Sequence, residues 1–200
     1  MLIDTHTHFD IILEDANISE SDLLDNMEKM HVSKAVQVSI DVKGLKWSRN
    51  FAQKYKERGI LFPAGIHPSS FADLNNLHQL ESFIKDVLES SDKELLYGIG
   101  ECGLDFYRMR QRKEMQIESF EYQITLAKKY NLPVIIHSRD AMRDTIETIK
   151  KYIPLKGIMH CFPGDRKDAK EILDLGLHIS YAGNVTYKNA FNLHESALYV

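Results

Sequence analysis

Two histidines lie one residue apart near the start of the chain, within the segment 3–9 (Ile-Asp-Thr-His-Thr-His-Phe). The segment predicts a β-strand, and side chains two residues apart on a strand project from the same face. His6 and His8 are therefore expected to point the same way, with Asp4 one step behind them. Two imidazoles side by side on a rigid strand can hold a metal ion. The alternative interpretation is a polar strand end with two solvated histidines.

Histidine or glutamate also falls near the ends of four later apolar runs. These residues are His67, Glu101, His137 and His160. A single histidine of this kind can be a core residue bonded to a carbonyl, but a buried unpaired carboxylate such as Glu101 needs a cation or several donors. One set supplies nitrogen and oxygen ligands for one or two divalent metal ions with a bridging carboxylate, namely His6, His8, Glu101, His137 and His160.

This ligand set predicts metal-assisted hydrolysis. Imidazole and carboxylate suit Zn, Mn, Co, Fe or Mg, and a metal pair activates water and stabilises charge on a phosphoryl or carbonyl oxygen. Arg108, Arg139 and Lys188 can hold an anionic substrate, although surface solubility is the favoured interpretation of Lys188. Cys102 and Cys161 are expected to point to the opposite strand face, as small buried residues.

Apolar, β-branched runs alternate with amphipathic segments along the chain. Predicted strands cover residues 2–8, 35–40, 60–67, 95–105, 133–139, 157–162 and 178–183. Predicted helices cover residues 19–31, 42–58, 77–90, 112–130, 140–152 and 165–175. The alternation predicts an α/β fold with a parallel sheet, whose functional residues collect at the C-terminal strand ends. No glycine-rich phosphate loop follows a strand, which weakens a nucleotide-binding open sheet relative to a (β/α) barrel.

Length and composition are those of one globular domain over residues 1–200. The chain has 44% hydrophobic and 27% charged residues, and its net charge is −4. It therefore lacks the overall positive charge typical of nucleic-acid-binding proteins, but this does not exclude a local basic groove. Two distant cysteines and an N-terminus without a signal-peptide pattern favour a cytoplasmic protein. No apolar run is long enough to cross a bilayer.

Five segments together resemble the TatD-type metal-dependent deoxyribonucleases, which belong to the amidohydrolase-like TIM-barrel hydrolases. The segments are Asp4–Asp10, Gly65–Pro68, Gly98–Tyr107, Pro133–Ala141 and Met159–Phe162. The resemblance implies a TIM (β/α) barrel, two divalent metal ions and hydrolysis of DNA phosphodiester bonds with 3′–5′ exonuclease character. It implies a first metal on His6 and His8, a bridging Glu101, and a second metal on His137 and His160. It also implies that His67 and Arg108 lie near the substrate phosphate.

The resemblance breaks off near the C-terminal end of the chain. The family's last strand carries a Glu-Thr-Asp segment whose Asp binds the first metal, and no such segment is present here. Residues 191–200 leave room for one short helix or a stub of strand, whereas a TIM barrel typically has about 250 residues. We therefore expect seven strands with the eighth missing or rudimentary, a C-terminally incomplete domain and a weakened first metal site. Exposed edges on the first and seventh strands would lower stability or cause self-association.

Three functional hypotheses stay open at this point. The first is a metal-dependent nuclease acting on DNA. The second keeps the barrel and metals but acts on a small amide, lactone or phosphoester, and the third is a non-catalytic fragment that binds metal or a partner. Several enzymes of the second kind use a carbamylated lysine late in the fourth strand, where this chain has Glu101, and this difference favours the TatD type.

Overall fold

The computed structural model describes residues 2–70 and 72–200, and its strands form one parallel sheet. The strands are β1 (Leu2–Thr7), β2 (Val32–Gln37), β3 (Ile60–Ala64), β4 (Leu96–Asp105), β5 (Val134–Arg139), β6 (Gly157–Met159) and β7 (His178–Ile179). Their order in the sheet is their order in the chain, and each neighbouring pair is parallel. This is the strand order of a (β/α) barrel, and the predicted fold class is confirmed. Within the described residues β1 and β7 are the two ends of the sheet, so the barrel is open between them.

The helices are α1 (Phe9–Asp15), α2 (Glu20–Lys29), α3 (Val42–Lys54), α4 (Leu74–Leu88), α5 (Lys113–Tyr130), α6 (Met142–Lys150), α7 (Arg166–Asp174) and α8 (Phe191–Tyr199). Helices α1 to α7 lie between successive strands, and α8 follows the last strand. The sequence did not predict α1, and α8 is the short helix, rather than the strand stub, that residues 191–200 allowed. No helix of the described ranges combines the length and apolar character needed to cross a membrane.

Side-chain caps define where several helices begin. Ser19 and Asp22 form the predicted capping box at α2, and Asp165 and Asp168 form a second box at α7. Asp73 accepts the N–H of Asn76 at the start of α4. Each cap satisfies backbone N–H groups that have no partner within the helix. The caps therefore fix the residues at which these helices begin.

The core lies on both faces of the sheet, as expected for parallel strands covered by helices. Nine of the ten residues of β4 are buried, the exception being Tyr97. Phe62, Ile99 and Ile136 are fully buried on neighbouring strands. The central strands are thus tightly packed, and this packing fixes the positions of the side chains at their C-terminal ends.

Five strands end earlier than the sequence predicted, namely β1, β2, β3, β6 and β7. β6 ends at Met159 and β7 at Ile179, so His160 and Cys161 lie in the turn that follows β6. Cys161 has a φ of +45°, which a strand cannot contain. It is only half-buried, so the prediction of a buried residue on a strand face was wrong for Cys161, whereas Cys102 is fully buried in β4 as predicted.

Candidate metal centre

The carboxylate of Glu101 lies at the centre of a histidine cluster at the C-terminal ends of the strands. Glu101 is only 3% exposed. Its Oε2 lies 3.1 Å from Nε2 of His6, and its Oε1 lies 2.8 Å from Nδ1 of His137 and 3.6 Å from Nε2 of His67. One buried carboxylate therefore faces three imidazoles, which come from β1, from β5 and from the loop after β3.

The possible ligand atoms form two groups that share Glu101. One group contains His6 and His160, and the other contains His67 and His137, with the candidate atoms of each group within 4.8 Å of one another. The rings of His6 and His160 stack with centroids 3.4 Å apart. A shared carboxylate between two sets of imidazoles is the arrangement that suits a pair of divalent ions.

His8 lies beside His6, as the strand argument predicted, with the two Nε2 atoms 3.4 Å apart. Nδ1 of His8 donates a hydrogen bond to the carbonyl oxygen of Val38 at 2.8 Å. A carbonyl can only accept, so this bond leaves the lone pair on Nε2, which faces His6. Fixing the tautomer through the other ring nitrogen is a common way of preparing a metal-ligating histidine.

His160 lies with His6 and not with His137, the partner that the resemblance implies. The ring of His67 instead lies edge-to-face against His137, with centroids 4.3 Å apart. The backbone N–H of Ser69 donates to Nδ1 of His67 at 3.0 Å, so the neutral ring carries its proton on Nε2. His67 is therefore prepared to donate a hydrogen bond from Nε2 rather than to bind a metal through it. The assignment of each ligand to one ion stays a prediction.

The protonation states of the cluster fit a bound cation. Burial lowers the pKa of His67 to about 4 and, with the neighbouring His6, lowers that of His160 to about 3. Burial alone would raise the pKa of Glu101, but hydrogen bonds from His137 and His6 outweigh it and hold the pKa well below its usual range. Neutral imidazoles and an ionised carboxylate are the forms that bind divalent metals.

Several buried nitrogens of the cluster have no hydrogen-bond partner among the described residues. They are Nδ1 of His6, Nε2 of His137 and Nδ1 of His160. Buried polar atoms without a partner are rare in folded proteins and call for a water or an ion. The donor set and its unpaired nitrogens therefore fit a metal centre built from nitrogen and oxygen ligands.

Glycines let the central strands approach closely around Glu101. Gly103 has a φ of +137°, and a Cβ on it would lie 2.0 Å from the carbonyl oxygen of His137. A Cβ on Gly65 would lie 2.4 Å from the backbone of Gly100. Residues with side chains do not fit such contacts, so these glycines allow Glu101 to reach histidines from both neighbouring strands.

Buried glutamines, which the sequence analysis missed, hold the backbone beside the site. Gln123 accepts the N–H of Ile66 at 2.8 Å and donates to its carbonyl oxygen at 3.0 Å, just before His67. Gln116 makes the same pair of bonds with Asp105, at 2.8 and 3.1 Å. The available signal was their spacing, since residues seven apart on α5 share the buried helix face.

Asp105 was also missed as a site residue. It is buried, and its Oδ2 lies 3.5 Å from Nε2 of His137. Its Oδ1 accepts the backbone N–H groups of Tyr107 and Arg108, at 3.0 and 2.8 Å. The Arg108 side chain is exposed in the loop after β4, whose backbone Asp105 holds, and Lys188 is exposed on the surface in keeping with the favoured interpretation.

A (β/α) barrel with a buried carboxylate–histidine cluster at its C-terminal strand ends defines a metal-dependent hydrolase. Within this class of enzymes, the family described as TatD related DNase matches residues 3–200 of the chain. The chain belongs to this family, and the resemblance inferred from the five sequence segments is confirmed.

Relatives and solved structures agree with this assignment. The uncharacterized metal-dependent hydrolase YcfH of Escherichia coli K12 is 32% identical over 203 residues, which cover 100% of this chain and 73% of that protein. YabD of Bacillus subtilis, with the same description, is 33% identical over 95% of this chain and 72% of its own length. The structure of YjjV, a TatD homologue from E. coli K12, aligns with a TM-score of 0.82 at 26% identity, covering 93% of this chain and 70% of that chain.

Proposed function

We propose that this protein hydrolyses DNA phosphodiester bonds with divalent metal ions and releases nucleotides from the 3′ end. One observation carries the proposal: the buried Glu101 carboxylate presents one oxygen to His6 and the other to His137. The description of the family as TatD related DNase supports the choice of DNA. Exposed arginines in the loop that follows the strand of Glu101, among them Arg108, support an anionic substrate.

The proposed metal ligands come from four strand ends. His6, His8 and His160 would hold one ion together with Glu101, and His137 would hold the other with the second oxygen of Glu101. When bound, such a pair of ions supplies activation of a water molecule and stabilisation of charge on the phosphoryl oxygens. The chain's own contribution is to keep the His160 imidazole neutral and the Glu101 carboxylate ionised in a buried site.

His67 has a separate proposed role. Its pKa of about 4 keeps the ring neutral at physiological pH, and the Ser69 N–H occupies Nδ1. Nε2–H is then free to donate to a phosphate oxygen that lies next to Glu101. Arg108 supplies a cation at the same mouth, where charge-assisted hydrogen bonds to phosphate are stronger than neutral ones.

The test is an assay on 3′-labelled single-stranded DNA with Mg²⁺ or Mn²⁺, comparing the protein with Glu101→Ala. We expect release of mononucleotides, abolished in Glu101→Ala and retained in Glu57→Ala, which removes an exposed carboxylate at the opposite end of the strands. If the protein hydrolysed only small esters or amides, its substrate would be a small molecule and not DNA. Metal binding without any turnover would contradict catalysis.

A further inference from the structure

We propose that Tyr107 is a stacking platform for a base of single-stranded DNA, seated beside the metal centre. The proposal rests on the proposed function and names a residue that contacts the base of the nucleotide rather than its phosphate. Tyr107 lies in the β4–α5 loop, which comprises residues 106–112 between the two elements. Its side chain is 64% exposed and does not belong to the hydrophobic core, so the ring is accessible to a ligand.

The tyrosine ring is held in place from one side. The guanidinium carbon of Arg139 lies 3.9 Å from the ring centroid, a cation–π contact that lowers the mobility of an exposed ring. The backbone supports the same pairing, because the N–H of Phe106 donates to the carbonyl oxygen of Arg139 at 2.9 Å. One side of the ring is therefore covered by a cation, and much of the rest is open to a flat ligand.

The platform is connected to the metal centre by one carboxylate. Oδ1 of Asp105 accepts the N–H of Tyr107 at 3.0 Å. Oδ2 of the same residue lies 3.5 Å from Nε2 of His137. The backbone of Tyr107 is therefore separated from His137 of the metal centre by a single side chain, that of Asp105, which places the platform beside that centre.

The charge of the β4–α5 loop suits a nucleic-acid strand. Arg108, Arg110 and Arg112 are exposed, and no carboxylate of the described residues lies within ion-pair distance of any of them. Lys113, at the start of α5, is by contrast paired with Asp144 at 2.7 Å. These cations stand out in a chain whose net charge is −4. Proteins that bind single strands without sequence preference combine aromatic side chains, which stack on the bases, with cations that contact the phosphates.

The experiment measures fluorescence anisotropy of two labelled oligonucleotides in Mg²⁺. Both carry phosphorothioate linkages at the 3′ end to slow hydrolysis, and one has abasic sites in place of its last three nucleotides. Tyr107→Ala should weaken binding of the base-containing strand by about 5- to 150-fold, the range for one base–aromatic stack. It should change binding of the abasic strand by less than about twofold, because no base is present to stack. Tyr107→Phe keeps the ring and should bind both strands as the unaltered protein does.

Equal weakening on both strands, or no weakening on either, would overturn the platform. The melting temperature of each variant checks that the exposed substitution leaves the fold intact. The outcome is independent of turnover: base-dependent weakening in a protein that cleaves no DNA would retain the platform and reject the nuclease. Cleavage of DNA with no base-dependent effect of Tyr107→Ala would do the reverse.

The arginines are tested by salt dependence. Replacing Arg110 and Arg112 together by Ala should weaken both oligonucleotides alike. It should reduce the slope of log K against log salt by about 1.4, since each single-strand phosphate contact contributes about 0.7. Lys56→Ala removes an exposed cation just before β3, at the far end of the strands, and should leave the slope unchanged. An unchanged slope in the double variant would show that the loop does not contact the backbone.

Discussion

Asp105 and His137 lie side by side at the ends of β4 and β5, with Oδ2 of the carboxylate 3.5 Å from Nε2 of the imidazole. Nδ1–H of the same imidazole donates to Glu101 at 2.8 Å. His137 thus lies between two buried carboxylates from one strand, hydrogen-bonded to Glu101 and next to Asp105. Carboxylates beside a metal-binding histidine orient the ring and raise its basicity.

Asp105→Asn is the conservative test of this relationship. The amide oxygen can still accept the N–H groups of Tyr107 and Arg108, so the loop should keep its conformation. Loss of the negative charge beside His137 should lower metal affinity by about 10- to 100-fold. Calorimetric titration with Mn²⁺ or Zn²⁺ measures this, with the exposed Asp174→Asn as the control. Unaltered affinity in Asp105→Asn would mean that this carboxylate has no part in metal binding.

Metal removal should lower stability through Glu101. A ligand present at a hundred times its dissociation constant stabilises the folded state by about 2.7 kcal/mol. Chelation with EDTA should therefore lower the melting temperature of the protein. In Glu101→Gln this metal-dependent difference should disappear, because the neutral amide cannot bridge two cations. A metal-dependent shift that survives in Glu101→Gln would place the metal elsewhere.

Gln123→Leu should destabilise the protein and disturb His67. The substitution keeps a similar volume but leaves both backbone polar groups of Ile66 buried without partners. Unsatisfied buried groups cost about 1–3 kcal/mol each, so the loss of two partners should lower the free energy of unfolding by about 2–6 kcal/mol in urea denaturation. Gln53→Leu, on a more exposed helix face, should cost less. If Gln123→Leu lowered the free energy of unfolding no more than Gln53→Leu does, the hydrogen bonds of Gln123 to the backbone of Ile66 would not stabilise the fold as proposed.

Gly103→Ala should damage the site more than other glycine substitutions. Its Cβ would lie 2.0 Å from the carbonyl oxygen of His137, in a backbone conformation with φ of +137°. We expect a loss of stability above about 3 kcal/mol, or failure to fold, because strain and a backbone clash combine. Gly176→Ala has a positive φ but nothing within 4 Å, so it should cost about 1 kcal/mol. Similar melting temperatures for the two variants would refute the close approach of β4 and β5.

Glu81 should make stability depend on pH below neutrality. Hydrogen bonds from Lys129 and Tyr122 lower its pKa to about 2, and they join α4 to α5. A carboxyl group with a lowered pKa stabilises the folded state above its unfolded value of about 4.5. That contribution is lost as the pH falls towards 2. Glu81→Gln should therefore be less stable by about 1–2 kcal/mol at pH 7, after allowance for solvent screening.

Chemical denaturation across the pH range checks this behaviour. The difference between the protein and Glu81→Gln should be constant above pH 5 and shrink towards zero near pH 2. A difference of the same size at every pH would show that Glu81 acts through packing rather than through its charge.

The sequence by itself determined the fold class and the types of the site residues. Apolar runs alternating with amphipathic segments specify parallel strands and helices, because each period fits one backbone geometry. His6, Glu101 and His137 were found because parallel strands bring their C-terminal ends to one edge. His6 and His8 were expected side by side since a strand repeats every two residues, and Nε2 atoms 3.4 Å apart agree.

Tertiary structure decided which of these side chains meet. His160 stacks on His6 rather than joining His137, because the contact depends on how the sheet curves and on where β6 ends. Asp105, Gln123 and Tyr107 acquired their roles through neighbours on other strands and helices, which no local period specifies. Residue type and spacing fix what chemistry a strand end can offer, whereas distances between strand ends follow from packing of the whole barrel.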